Sequence, residues 1–356
     1  MISASGSLCS LCGNCARLVS GTLGVCLQCI RRLPDDAVSI ARRVHAATRQ
    51  PFGLPEAPPR TPGGVSCRLC ERECIIGERE RGFCGLRTVQ DGRLVHLGGI
   101  PRRGILEWYR DPLPTNCVAD WVCPGGRRTS GHNLAVFYAS CTLNCLFCQN
   151  WHFRRVSATR SEGLSAARLA DAANAATFCV CFFGGDPASQ MLHALASARL
   201  LARQGVVVCW ETSGTSHPRL LEHAMQVSLE TGGCIKFDLK AHDEALHLVL
   251  TGGSNRRTLE NFAAAARRFT ERAHPPPLIA STLLVPGYVD AEEVGRIARF
   301  IAGLNPEIPY SLLGFTPQFH MTDLPRTSRC HAEEAQATAR AAGLRNVYIG
   351  NRHLLG

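Results

Sequence analysis

The sequence predicts an α/β chain, a partial (β/α)6 TIM-like barrel with a small Cys-rich, metal-binding N-terminal extension. Three observations predict it. From residue 134 onward, short apolar runs alternate with alanine- and leucine-rich stretches of helical character. Nearly every run ends in a polar or glycine-containing signature, as expected where βα loops converge on one pocket. Before that point, cysteines gather in tight C-x2-C and C-x3-C pairs.

The runs LAVFYAS (134–140), FCVCFF (178–183), VVVCWE (206–211), CIKFDL (234–239), LIASTLLV (278–285), SLLGF (311–315) and NVYI (346–349) read as strands. Helix-like stretches such as 164–176, 261–269 and 291–303 lie between them. Strand followed by helix, repeated about six times, argues for a parallel sheet with helical crossovers. The strand ends carry CTLNCLFCQN, GGDP, ETSG, DLK, VPG and FTP, which favours a ring over a flat sheet. Four segments follow: a zinc-ribbon-like element (1–50), a Pro/Gly linker (51–64), a Cys-rich accessory segment (65–130) and the barrel (131–356).

Hydrophobic residues make up 45% of the 356 and charged residues 19%, enough for a filled core. No apolar run approaches the roughly 18 residues that span a bilayer. The start of the chain lacks the features of a secretory signal, so a cytoplasmic protein without a membrane partner is the expectation. Nineteen cysteines without such a signal point to bound metal in a reducing compartment. The formal charge of +10 comes almost wholly from scattered arginines, which reads as a solvated surface. A nucleic-acid partner is therefore not favoured. Lys236 and Lys240 are the only lysines and flank Asp238.

Cys141, Cys145 and Cys148 follow the first barrel strand in C-x3-C-x2-C spacing. Three thiolates on one loop suit a cubane iron–sulfur cluster, whose irons prefer sulfur, with one iron left open. Zinc is the alternative, with His152 as a fourth ligand. Glycines at a strand end, here Gly184 and Gly185, allow close backbone approach, and Asp186 suits an ammonium. Asp238 and Lys240 read either as site residues or as a structural ion pair at the barrel mouth.

The loop CTLNCLFC, with Phe147 before the third cysteine, resembles the cluster loop of the radical S-adenosylmethionine (SAM) superfamily. In order along the chain, CQNW, FFGGDP, ETSG, FDLK, LTGGSNRRTLENF, LLVPGY and VYIGN extend the likeness over roughly residues 65–351. The chain is most similar to the pyruvate formate-lyase activating enzyme branch, and within it to radical SAM proteins of the AmmeMemoRadiSam type. The resemblance implies a radical SAM enzyme. A 4Fe-4S cluster on Cys141, Cys145 and Cys148 reductively cleaves SAM to a 5′-deoxyadenosyl radical that abstracts hydrogen, as in glycyl-radical-enzyme activases. It places the SAM amino group at Gly184, Gly185 and Asp186, and the ribose or a monovalent cation at Glu211, Thr212 and Ser213. Phe147, Asp238 and Lys240 also border the cofactor, Lys240 toward the SAM carboxylate. A reductant such as flavodoxin or ferredoxin is implied, together with a protein substrate.

Cys67, Cys70, Cys74 and Cys84 form C-x2-C-x3-C-x9-C, read as zinc with a second iron–sulfur cluster as rival. Cys9, Cys12, Cys26 and Cys29 form C-x2-C-x13-C-x2-C, a ribbon-like pattern for zinc or rubredoxin-type iron, with Cys15 left over. This element and residues 102–126 depart from the family pattern. If the latter border the substrate opening, they alter substrate choice. Cys117 and Cys123 read as extra ligands or bystanders, and Cys179, Cys181, Cys209 and Cys234 as small core residues. The alternative function is a zinc-ribbon nucleic-acid-binding protein or a radical SAM RNA-modifying enzyme.

Overall fold

The computed structural model describes residues 7–14, 18–115 and 117–356. Cys15 lies outside the described residues. Eight strands form the main sheet: β1 (Leu106–Pro112), β2 (His132–Tyr138), β3 (Thr177–Phe183), β4 (Val207–Thr212), β5 (Ile235–Asp238), β6 (Leu278–Leu284), β7 (Tyr310–Gly314) and β8 (Val347–Gly350). They lie side by side in sequence order, β2 to β8 parallel and β1 antiparallel to β2. Among the described residues no pairing joins β8 to β1, so the barrel is partial.

All seven expected strands form, each within two residues of its expected bounds. β1 arises from the Cys-rich accessory segment, where no strand was expected. Its outward face is exposed and it sits at the edge, so its sequence lacks a clean apolar alternation. The helix expected over 164–176 shrinks to α3 (Ala166–Ala170), because Asn174 turns the chain by accepting from the Ala176 N–H at 2.9 Å.

The crossovers include α4 (Met191–Arg203), α5 (Pro218–Thr231), α6 (Glu244–Thr251), α7 (Arg256–Ala266) and α8 (Ala291–Leu304), and α9 (Arg329–Ala341) precedes β8. Asp243, Asp290 and Ser328 cap α6, α8 and α9 by accepting a backbone N–H three residues on. The period of two divides each strand. Val180, Phe182, Val208, Trp210, Ile235 and Phe237 face the helices within the main core. Cys181 and Cys209 pair across β3 and β4 on the opposite, concave face, and Glu211 pairs with Lys236 across β4 and β5.

Residues 1–50 contain α1 (Leu27–Arg32) and α2 (Pro34–Arg49), helices that the cysteine pattern did not reveal. Pro34 at the first position, followed by Asp35 and Asp36, starts α2 as helix-terminus chemistry requires. The helix packs on α6 behind the loop that follows β2. No helix among the described residues is long and apolar enough to cross a membrane.

Three buried histidines are wired as neutral rings. His193 accepts from Tyr138 Oη at Nδ1 and donates Nε2–H to Leu164 O, each at 2.9 Å. His45 accepts from Asn144 at 3.2 Å and donates to Val249 O at 3.0 Å. His247 Nδ1–H donates to Gly253 O at 2.7 Å. Burial pulls all three down to about 4. Their contribution is complete above the unfolded value near 6.5. It is lost as pH falls toward 4, by at most on the order of 3 kcal/mol each. Asp186, Glu71 and Glu293, raised by burial, oppose this in the acid range. The urea midpoint is therefore expected to fall between about pH 7 and about pH 4.5. A midpoint that holds or rises over that range would contradict the wiring.

Candidate active site

β2 ends at Tyr138 and the chain turns at once into the loop bearing Cys141, Cys145 and Cys148. The loop is braced from behind. Asn144 N–H donates to Thr251 O at 2.8 Å and Leu146 N–H to Leu250 O at 3.1 Å, both at the end of α6. The Asn144 amide donates to Thr48 Oγ1 at 2.9 Å, and Arg72 Nε to Thr142 O at 2.6 Å. The N-terminal helix α2 and the accessory segment thus hold the cysteine loop in place.

The loop faces a cleft of about 210 Å³ at the carboxyl ends of the strands. Cys141, Cys145, Phe147, Cys148, Gly184, Gly185, Asp186, Glu211, Thr212, Ser213, Asp238 and Lys240 all line it. The barrel residues expected to hold the cluster and SAM are therefore brought together, whereas His152, the fourth ligand of the zinc alternative, does not line this cleft. Gly184 and Gly185 have φ of +63° and +49°, conformations that suit glycine.

Asp186, which the resemblance places toward the SAM ammonium, has its carboxylate held within the fold. It turns back into the protein and accepts from Ala188 N–H at 2.7 Å, Thr212 Oγ1 at 3.0 Å, Ser213 N–H at 2.8 Å and the Ser213 hydroxyl. Its acceptor capacity is used within the fold, so it ties the β3 loop to the β4 loop. Lys240 Nζ lies 2.9 Å from Asp238 Oδ2 and 5.9 Å from the Phe147 ring centre. Burial pulls Lys240 down, but Asp238 and Cys145 outweigh it and hold the ammonium charged. Ser281 Oγ donates to Asp238 Oδ1 at 2.9 Å.

Two residues were missed. Lys236 is 1% exposed and reaches Glu211 Oε1 at 2.8 Å, Cys117 Sγ at 3.1 Å and Cys181 Sγ at 3.3 Å. Burial draws its pKa down, yet Cys117, Cys181 and Glu211 carry it well above the ordinary value. Being one of only two lysines was its sole signal. Removing one partner of a buried ion pair leaves the other uncompensated. Lys236→Met is thus expected to cost about 3 kcal/mol, the low end of the range because Glu211 is partly exposed. Urea unfolding of Lys236→Met beside Glu211→Gln and the double variant reads this. A double variant as unstable as the sum of the singles would deny the coupling.

The other is Arg154, one arginine among many and without sequence signal. It is buried in the cleft wall, donates Nη2–H to Asn144 Oδ1 at 3.3 Å, and leaves Nε and Nη1 without a hydrogen-bond partner. Orphaned guanidinium donors beside three thiols suit an anionic group in the cleft. Together with the sulfur donor set, they fit the cluster and SAM that the resemblance implies.

Three further groups of cysteines stand apart from this cleft, and Cys330 lies exposed on α9. Cys9, Cys12, Cys26 and Cys29 bring all four sulfurs within 4.8 Å of one another, with 3.7 Å between Cys9 and Cys29 and 3.9 Å between Cys12 and Cys26. Among the described residues no other group of ligand atoms is gathered so tightly. Cys67 and Cys74 share a small core with Ile76, Phe83 and Val89, and Cys84 lies against the cluster loop, its carbonyl accepting from Ser140 Oγ at 2.9 Å. Cys179, Cys181, Cys209 and Cys234 are buried, as their reading as small core residues expects, and with Cys117 and Cys123 they line one cavity below the cleft.

Comparison with known proteins agrees with this geometry. Residues 135–301 match the radical SAM superfamily. The isethionate sulfite-lyase activating enzyme of Oleidesulfovibrio alaskensis is 33% identical over 135 residues, 37% of this chain and 41% of that one. Thus the chain spans less than half the length of that relative. The pyruvate formate-lyase 1-activating enzyme of Escherichia coli K12 is 25% identical over 195 residues, covering 52% and 76%. An uncharacterized protein of Methanocaldococcus jannaschii is 24% identical over 302 residues, 81% of each chain. A solved domain of a pyruvate-formate lyase-activating enzyme from Bacteroides vulgatus superposes with a TM-score of 0.41 at 20% identity, over 49% of this chain and 99% of that one. With the cysteine loop, the paired glycines and the strand-end polar residues around one cleft, the chain carries a radical SAM superfamily domain over residues 135–301.

Proposed function

We propose that this chain is a radical SAM enzyme of the activating-enzyme type, abstracting hydrogen from a protein substrate. The observation that carries the reading is the convergence of the thiol loop, the Gly184–Gly185 turn and the Asp238–Lys240 pair on one cleft. Cys141, Cys145 and Cys148 would hold a 4Fe-4S cluster, which when bound would supply the electron for reductive cleavage of SAM.

The chain's own residues do the rest. The backbone of Gly184 and Gly185, unshielded by side chains, receives the SAM ammonium. Lys240 takes the carboxylate, and Asp238 keeps Lys240 aimed. Glu211, Thr212 and Ser213 offer oxygens to the ribose or a cation, with Asp186 fixing the last two. Apolar walls formed by Phe147, Phe183, Leu283 and Leu313 limit the water that reaches the reacting carbon.

Beside the loop, a larger cleft of about 820 Å³ is lined by Arg49, Arg81, Arg155, Arg160 and Trp151 and reaches Cys141. Its positive rim suits an acidic reductant such as flavodoxin or ferredoxin. The tight N-terminal quartet suits zinc. The looser Cys67, Cys70, Cys74 and Cys84 set suits zinc or a second cluster in line with Cys141.

The test is anaerobic reconstitution, reduction with dithionite and quantification of 5′-deoxyadenosine from SAM. Its formation supports the reading. If none forms and SAM leaves the electron paramagnetic resonance of the reduced cluster unchanged, the proposal fails.

A further inference from the structure

The lower half of the barrel is filled in an unusual way. Inward positions of parallel α/β barrels are normally branched aliphatics packed without voids. Here β3 contributes Cys179 and Cys181, β4 contributes Cys209, and Cys234 opens β5. The segment between β1 and β2 folds inward to cover them. Trp121 Nε1–H donates to Ser311 Oγ at 3.0 Å and its ring stacks on Tyr348 at 5.1 Å, which seats Cys117 and Cys123 against the same space. Six sulfurs thus surround a cavity of about 280 Å³ that no side chain fills.

We propose that this cavity binds a second iron–sulfur centre, ligated by Cys123, Cys179, Cys209 and Cys234, with Lys236 as its buried counter-charge. Three observations support it. Cys209 Sγ and Cys234 Sγ stand 4.0 Å apart, close to the roughly 3.8 Å edge of a tetrahedron with metal–sulfur bonds of about 2.3 Å. The six sulfurs are nevertheless not gathered into one tight set like Cys9, Cys12, Cys26 and Cys29, so the site fits a polynuclear group better than a single ion. Finally, the buried Lys236 ammonium, paired with Glu211, also lies against Cys117 and Cys181 and so places positive charge at the cavity wall, where an anionic thiolate-ligated cluster needs it.

The position gives the site meaning. Glu211 and Phe183 line both this cavity and the cleft above, so the centre would sit directly beneath the proposed SAM pocket. The covering residues 117–126 lie within the stretch 102–126 that the resemblance sets apart from the family pattern. That segment also brings Val118 to the upper cleft.

The experiment uses the full chain, purified anaerobically and reconstituted with ferrous iron and sulfide. Iron, acid-labile sulfide and zinc are counted, and Mössbauer spectra are taken, in Cys141→Ala/Cys145→Ala/Cys148→Ala and in the same variant with Cys209→Ala/Cys234→Ala added. Iron at the two N-terminal cysteine groups is common to both and cancels in the difference. The expected result is a loss of about two iron with matching sulfide on adding the second pair, the content of one 2Fe-2S cluster in which Cys209 and Cys234 share an iron. Equal iron in the two, or loss of zinc with no iron, overturns the proposal. Should the combined variant fail to fold, Cys234→Ala alone in the wild-type chain gives the same reading. There the Mössbauer component assigned to the second centre is expected to change or vanish, and an unaltered spectrum overturns the proposal. No readout depends on SAM cleavage, so failure here and failure of the proposed function are separable.

Discussion

Replacing Cys145 with alanine is expected to reduce 5′-deoxyadenosine formation to the background of the metal-free protein. The fold should survive, because the loop is held by groups other than the thiol. Asn144 and Leu146 hydrogen-bond to the end of α6, the Asn144 amide reaches Thr48, and Arg72 grips Thr142. Deleting one buried sulfur costs about 1 kcal/mol, small against the total stability of a chain this size. The loss should therefore appear in iron, by about four per chain, and in chemistry, with little change in the urea midpoint. Cys141→Ala and Cys148→Ala should behave alike. Cys330→Ser is the control, since Cys330 lies exposed on α9. Cleavage of SAM by Cys145→Ala at the wild-type rate would remove the loop from the mechanism altogether. Reduced iron with a collapsed fold would be read against Asn144→Ala, which removes a brace and leaves every thiol.

The barrel strands were legible because parallel strands buried on both faces leave nearly continuous apolar runs, as in residues 134–138 and 278–284. The site was legible because chemistry at strand ends interrupts those runs with residues that packing does not favour. What stayed hidden was tertiary. Lys236 lies inside a strand whose apolar neighbours Ile235 and Phe237 read as core, and only the register with Glu211 explains its charge. Cys209 and Cys234 are 25 residues apart and meet because β4 and β5 are neighbours. Arg154 stands out only through donors that find no partner. Asp186 illustrates the opposite limit. Its position beside the paired glycines was readable, but the direction of its carboxylate depended on Ser213 and Thr212, contributed by the next strand.

The same β3 turn makes Gly185 the most demanding position in the cleft. A Cβ there would stand 2.1 Å from Tyr138 O and 2.4 Å from Ser140 O, both backbone atoms at the end of β2 and immediately before Cys141. Neither can yield without moving the cysteine loop, and φ of +49° adds strain for any side chain. Gly185→Ala is accordingly expected to cost about 3–5 kcal/mol, combining overpacking with left-handed backbone strain. Gly205→Ala separates the two effects, because Gly205 also has positive φ, +78°, yet a Cβ there meets nothing within 4 Å. That variant should lose only the conformational part, about 1 kcal/mol. Urea unfolding measures both, and anaerobic calorimetric titration with SAM measures what the turn does for the cofactor. Binding should be lost in Gly185→Ala and intact in Gly205→Ala. Wild-type SAM affinity in folded Gly185→Ala would mean that the ammonium is received elsewhere. The glycine pair would then serve only to press β3 against β2.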